Sequence, residues 1–129
     1  MVSGRKDRVV ISCVTFEVAK VVDPIEYYEA TRVHLLSTSK DGDIYREFLD
    51  EVCKRITAYS KRTQIVKHIS QKDENGNYDF TVYDFQSVMR ELLCIIQDEI
   101  GAHGENNVEI FVKSPPELRS IPRHLSSRR

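Results

Sequence analysis

Apolar residues along this chain follow two rhythms that take turns. Val9, Val10 and Ile11 form a compact β-branched run, short enough for a buried strand over residues 8–12 after a polar, basic lead-in. Asp23, Pro24 and Glu26 then read as a helix start, with Asp23 as N-cap, Pro24 in the first turn and Glu26 closing a capping box. This helix is short, ending near Ala30, and Val33, Leu35 and Leu36 mark a second strand over 32–36. Beyond a polar loop at 37–43, Ile44, Phe48, Leu49, Val52 and Ile56 share one stripe at helical spacing, with the charged residues off it. Residues 64–69 predict a third strand, less apolar and suited to a sheet edge. A turn follows at 72–77. From Asp79 the pattern is helical again: Phe85, Val88, Met89, Leu92, Leu93, Ile96 and Ile100 form a wide face, and Gly101 is the expected stop. A turn at 104–106 leads into a last strand over 107–112.

The order β-α-β-α-β-α-β predicts a three-layer α/β/α domain with a parallel sheet and right-handed crossovers. The first and fourth strands are the most apolar and are expected inside, in a sheet of order 3-2-1-4. Such an order reverses between strands one and four, and ligands of open α/β sheets bind at the carboxyl ends of strands flanking that point. Topology therefore nominates the loops at 12–16 and 113–116. Residues 1–112 are expected to form the domain and 113–129 an irregular basic tail. A parallel strand normally feeds a covering helix, and the tail offers no helical pattern, so the domain reads as incomplete.

Composition narrows the chemistry. The 129 residues are 40% hydrophobic and 30% charged with a net charge of -1, which gives no general attraction to nucleic acid or anionic membrane. No apolar run approaches the roughly 18–20 residues that span a bilayer. Cys13, Cys53 and Cys94 form no CxxC pair and lie in apolar segments, so buried, inert thiols in a reducing cytoplasm are expected. There is no GxGxxG, no Walker lysine loop and no GxSxG, and no cofactor is expected. His34, His68, His103 and His124 lack metal-ligand spacing; His34 and His68 fall within strands and read as structural. Glu17, near the first loop, reads as a capping or solvated carboxylate before it reads as a general base. Ser37, Thr38, Ser39 and Lys40 follow the second strand and read as a polar loop before they read as a site where hydroxyls, backbone N–H groups and a lysine hold a phosphate. The basic tail has no interleaved aromatics, and direct nucleic-acid binding is not expected.

Thr15, Phe16 and Glu17 after the first strand, followed by Thr31, Arg32, Val33, His34, Leu35 and Leu36, resemble the CRISPR-associated Rossmann fold (CARF) superfamily. The resemblance is to archaeal proteins that join an N-terminal CARF-like domain to a winged helix and are regarded as transcription regulators. It covers roughly residues 8–112. It implies a Rossmann-like, homodimeric sensor that binds cyclic oligoadenylate across a two-fold axis through the loops after strands one and four, in antiviral or transcriptional regulation. The ligand-facing positions it implies are Thr15 and Phe16, then Lys113 and Ser114. The family pattern after strand four has a glycine turn and a small-residue helix, which Lys113, Ser114, Pro115 and Pro116 do not reproduce.

A change of reading frame near codons 113–116 would account for that departure, because Ser114-Pro115-Pro116 permits a run of cytosines. Two further readings belong to other classes. One is a metal-independent ring nuclease that positions the ligand's 2′-hydroxyl and phosphate with Thr15, Ser39, Lys40 and Lys113. The other is a structural homodimerisation module whose open sheet edge seeks a second copy.

Overall fold

Val9, Val10 and Ile11 have no exposed surface because β1 (Asp7–Cys13) lies between two hydrogen-bonded neighbours. The computed structural model describes residues 6–15, 17–38, 44–70, 74–75 and 85–113. Their elements are β1, α1 (Val18–Tyr27), β2 (Arg32–Thr38), α2 (Ile44–Tyr59), β3 (Gln64–Ser70), α3 (Phe85–His103), a short 3-10 turn (Glu105–Asn107) and β4 (Val108–Lys113). All pairings are parallel, in the order β3-β2-β1-β4. The chain is thus a Rossmann-like α/β domain with the expected order.

Alternation along the strands divides the interior in two. Val10 and Val14 of the first strand segment join Val33 and Leu35 beneath α1 and α2, which add Val21, Val22, Ile25, Leu49, Val52 and Ile56. Val9, Ile11 and Cys13 point the other way and meet Val88, Leu92 and Ile95 of α3. Two helices therefore cover one face, and among the described residues α3 alone covers the other.

Several boundaries differ from the sequence expectation. The first helix begins five residues before Asp23, with Glu17 at its N-cap and Pro24 inside it. Val18, Val21, Val22 and Ile25 recur at helical spacing, and burying that stripe on the sheet outweighs the bond to the Lys20 carbonyl that Pro24 cannot make. The helix closes three residues after the proline. Gly101 does not stop α3, which continues to His103; Gly104, at φ 92, takes the left-handed position and donates its N–H to Ile100 O at 2.8 Å. Leu93 and Ile100, expected in the buried stripe, are exposed, because the helix turns Val88, Leu92 and Ile95 to the sheet instead. β4, expected inside, is an edge of the described sheet, and β3 is the other edge as expected. Of the three cysteines only Cys13 is buried; Cys53 is half-buried and Cys94 exposed on α3. The expected helical start at 79–84, most of the turn at 72–77 and the tail beyond Lys113 lie outside the described residues.

Candidate functional site

The carboxyl ends of three strands form one edge of the sheet. Ser12 of β1 is in register with Leu35 of β2 and with Lys113 of β4, and Val14 donates its N–H to Leu36 O at 2.8 Å. The reversal of strand order falls between β1 and β4, as the topology requires. Of the residues nominated from sequence, Thr15, Ser37, Thr38 and Lys113 are brought to this edge. Phe16, Ser39, Lys40 and Ser114 lie outside the described residues. Ser37 and Thr38 belong to β2 rather than to a loop, since their backbones continue the ladder opposite Ile69 and Ser70. Ser37 is buried on the face shared with α1 and α2. Thr15 is buried too, and its Oγ1 accepts the Glu17 N–H at 3.2 Å, which fixes the entry into α1. Glu17 itself pairs with Lys20 at 3.1 Å.

Ser12 is the unexpected member of this edge. It sits between Val10 of β1 and Val14 just after the strand, both without exposed surface, and its Oγ has no hydrogen-bond partner among the described residues. An unpaired buried hydroxyl costs roughly 1–3 kcal/mol. Its register partner Lys113 lies beside it on the same face, because paired residues of neighbouring strands point the same way.

A second polar constellation lies under α3, toward the amino ends of the strands. Arg32 Nε and Nη2 donate to Glu99 Oε2 and Oε1, both at 2.7 Å, and Nη2 also reaches Asp7 Oδ2 at 3.3 Å. His34 Nε2 lies 2.6 Å from Glu99 Oε2, and His34 Nδ1 lies 2.8 Å from His68 Nε2. Arg32, His34 and Glu99 are 8%, 7% and 4% exposed, while His68 is half-buried. Burial by itself would raise the Glu99 carboxyl, but the hydrogen bonds from Arg32 and His34 outweigh it and pull the group down to about 2. The same bond to Glu99 raises Arg32 further. Burial pushes His68 down, and the adjacent His34 adds to that, with Asp98 acting in the opposite direction.

The strand histidines are therefore not isolated core residues. Arg32 and Glu99 were missed, although the sequence carried a signal for each. Arg32 and His34 alternate with Val33 and Leu35 in a strand whose neighbours are apolar, so both point under one cover. Glu99 follows Val88, Leu92 and Ile95 at helical spacing, on the stripe that α3 buries. A carboxylate on a buried stripe and a guanidinium on a buried strand require each other.

Among the described residues there is no group of three or more His, Cys, Asp or Glu side chains arranged to hold a metal ion. No described helix is long and apolar enough to cross a membrane. Neither the curated proteins nor the solved structures contain a match to this chain. The family described as HFX_2341_N, -like, N-terminal matches over residues 8–127, a range that takes in every described element except the first residue of β1 and runs into the tail. The match spans nearly the whole chain, and the chain belongs to the HFX_2341_N-like, N-terminal family.

Proposed function

We propose that this domain is a nucleotide sensor whose ligand, a cyclic oligoadenylate by the CARF resemblance, binds at the carboxyl ends of β1 and β4. The observation that carries the reading is the Ser12 hydroxyl, buried and unpartnered, in register with Lys113 at the point where strand order reverses. A buried hydroxyl left unpaired is a cost the fold has no structural reason to keep, and a ligand phosphate or ribose oxygen would satisfy it. Lys113 supplies a positive charge on the same face, suited to a phosphodiester. The backbone N–H groups that open α1 follow directly after the β1 loop and add donors of the same sign. A ligand with two-fold symmetry would be shared by two copies, so the reading includes a homodimer assembled around it and a role in transmitting its presence to a regulatory partner.

Titration calorimetry with cyclic tetra-adenylate and cyclic hexa-adenylate tests the reading. One ligand per two chains, with binding weakened at least tenfold in Lys113→Ala, is the expected result. No heat with either ring at high protein concentration would remove the proposal, and product formed over hours would move it to the ring-nuclease class.

A further inference from the structure

The network under α3 lies on the opposite face of the sheet from Ser12 and Lys113, and it contains a chain of groups that fixes where protons sit. Glu99 is ionised across the physiological range and can only accept. At 2.6 Å His34 Nε2 must therefore carry a hydrogen and donate it to Oε2. In the neutral ring that leaves Nδ1 of His34 as a lone pair. Two lone pairs cannot face each other at 2.8 Å, so His68 Nε2 carries the hydrogen in that contact and donates to His34. One acceptor remains, Nδ1 of His68. Arg32 locks the start of this sequence by holding both oxygens of Glu99, and Asp7 holds Arg32 in turn.

The consequence for a proton is directional. A proton taken up at His68 Nδ1 makes that ring cationic, and its Nε2 hydrogen can then pass to His34 Nδ1. The positive charge comes to rest on His34, against the Glu99 carboxylate, and His68 is neutral again as the other tautomer. Each transfer moves one proton along an existing hydrogen bond, so no partner beyond the donor is needed. The carboxylate thus offers a resting place to a proton taken up two rings away, at the imidazole that, among the described residues, is half-buried, between buried His34 and exposed His103. His68 is opposite Leu36 in the ladder, one same-face step from the Thr38–Ser70 pair at the carboxyl ends of β2 and β3.

We propose that Glu99, His34 and His68 form a proton relay whose working end is His68 Nδ1, an acid–base site for a ligand hydroxyl held at the carboxyl ends of β2 and β3. The groups that set its behaviour are Arg32 and His34 on β2, Asp7 on β1, and Asp98, Glu99 and His103 on α3. His103 Nε2 is 4.0 Å from Glu99 Oε1 and stands outside the chain of short contacts.

Two measurements test the relay without knowledge of the natural ligand. Long-range proton–nitrogen spectra of the imidazoles, recorded on the intact chain at pH 8, should show the Nε2–H tautomer in both His34 and His68. An Nδ1–H tautomer in either ring overturns the proposal, and this reading needs no variant. The second uses diethyl pyrocarbonate, with the modified histidines located by mass spectrometry. His68 Nδ1 attacks a carbonyl carbon, ethyl carbonate leaves with the bonding electrons, and the Nε2 hydrogen passes to His34. His68 should react faster than His103, by roughly tenfold if the relay contributes at the low end of acid–base assistance. The advantage should disappear in Glu99→Gln and in His34→Gln, with far-ultraviolet circular dichroism confirming that each is folded. Equal reactivity of His68 and His103 in the unmodified protein counts against the relay, whatever the variants do. Neither measurement depends on nucleotide binding, so this site and the one at Ser12 stand or fall separately.

Discussion

Arg32 and Glu99 meet through two 2.7 Å hydrogen bonds across 67 positions of sequence, and the pair ties α3 to the second strand of the sheet. The geometry is bidentate and both partners are buried, so the interaction is strong once formed and expensive to half-remove. Arg32→Met alone should destabilise the domain by about 3–5 kcal/mol, because Glu99 is left ionised without its main partner. Glu99→Met alone should cost a similar amount. The double variant should be much less damaged than the sum, since two apolar side chains can fill the space without a stranded charge. Urea midpoints of the four proteins give the coupling directly. Additive losses would mean that the two side chains do not depend on each other.

Acid should weaken this fold in two stages, each traceable to one residue. Burial and the neighbouring His34 hold His68 below its ordinary value of 6.5, so the unfolded chain takes up that proton first. Its contribution is complete above pH 6.5 and declines as pH falls below it. Glu99 has an ordinary value of 4.5 and a folded value of about 2, so its contribution is present above pH 4.5 and is lost as pH falls toward 2. The full size of the second stage is at most about 3 kcal/mol. Chemical denaturation at pH 8, 6, 5 and 3 should show both stages. His68→Gln should flatten the first, and Glu99→Gln the second. A wild-type midpoint that does not move between pH 7 and pH 3 would contradict both assignments.

The two glycines at the end of α3 should respond in opposite directions to the same change. Gly101 lies inside the helix, and nothing stands within 4 Å of a Cβ built there. Gly101→Ala should therefore stabilise the domain by about 0.5–1 kcal/mol, through helix propensity and a less flexible unfolded chain. Gly104 has φ 92, and a Cβ there would come within 3.0 Å of Asn107 Nδ2, whose amide donates to His103 O at 2.7 Å. Gly104→Ala should cost at least about 1 kcal/mol. Thermal unfolding of both variants reads the contrast, and equal shifts would refute the placement of the helix end.

Hydrophobic rhythm makes most of the architecture legible in the sequence. The β-branched run at Val9 and the stripe through Leu49, Val52 and Ile56 each have one burial solution, and the order of elements then restricts the sheet to few arrangements. Local end signals misled where packing overrode them. Asp23 and Pro24 carry the chemistry of a helix start, yet Val18, Val21 and Val22 commit the chain to a helix before those residues are reached. Gly101 has stop chemistry, yet Gly104 occupies the conformation that needs glycine. The carboxyl edge could be nominated because topology alone places it. The network under α3 could not, because its contacts join positions 32, 34, 68 and 99, and a one-dimensional pattern records the face each residue occupies without recording what it meets there.

Ser12 separates a structural role from a ligand role by experiment. Its hydroxyl is buried and unpartnered among the described residues, so in the free protein it opposes folding. Ser12→Ala removes the hydroxyl and leaves almost no void, and it should stabilise the free domain by about 1 kcal/mol. If that hydroxyl serves a nucleotide ligand, the same variant should bind cyclic oligoadenylate more weakly, by about five- to tenfold for one lost hydrogen bond. Stability and binding would then move in opposite directions, which is the signature of a residue kept for function against the interest of the fold. A variant that is less stable than the parent would show that the hydroxyl has a structural partner after all. A variant that is more stable and binds equally well would detach Ser12 from the ligand and leave Lys113 to carry the site.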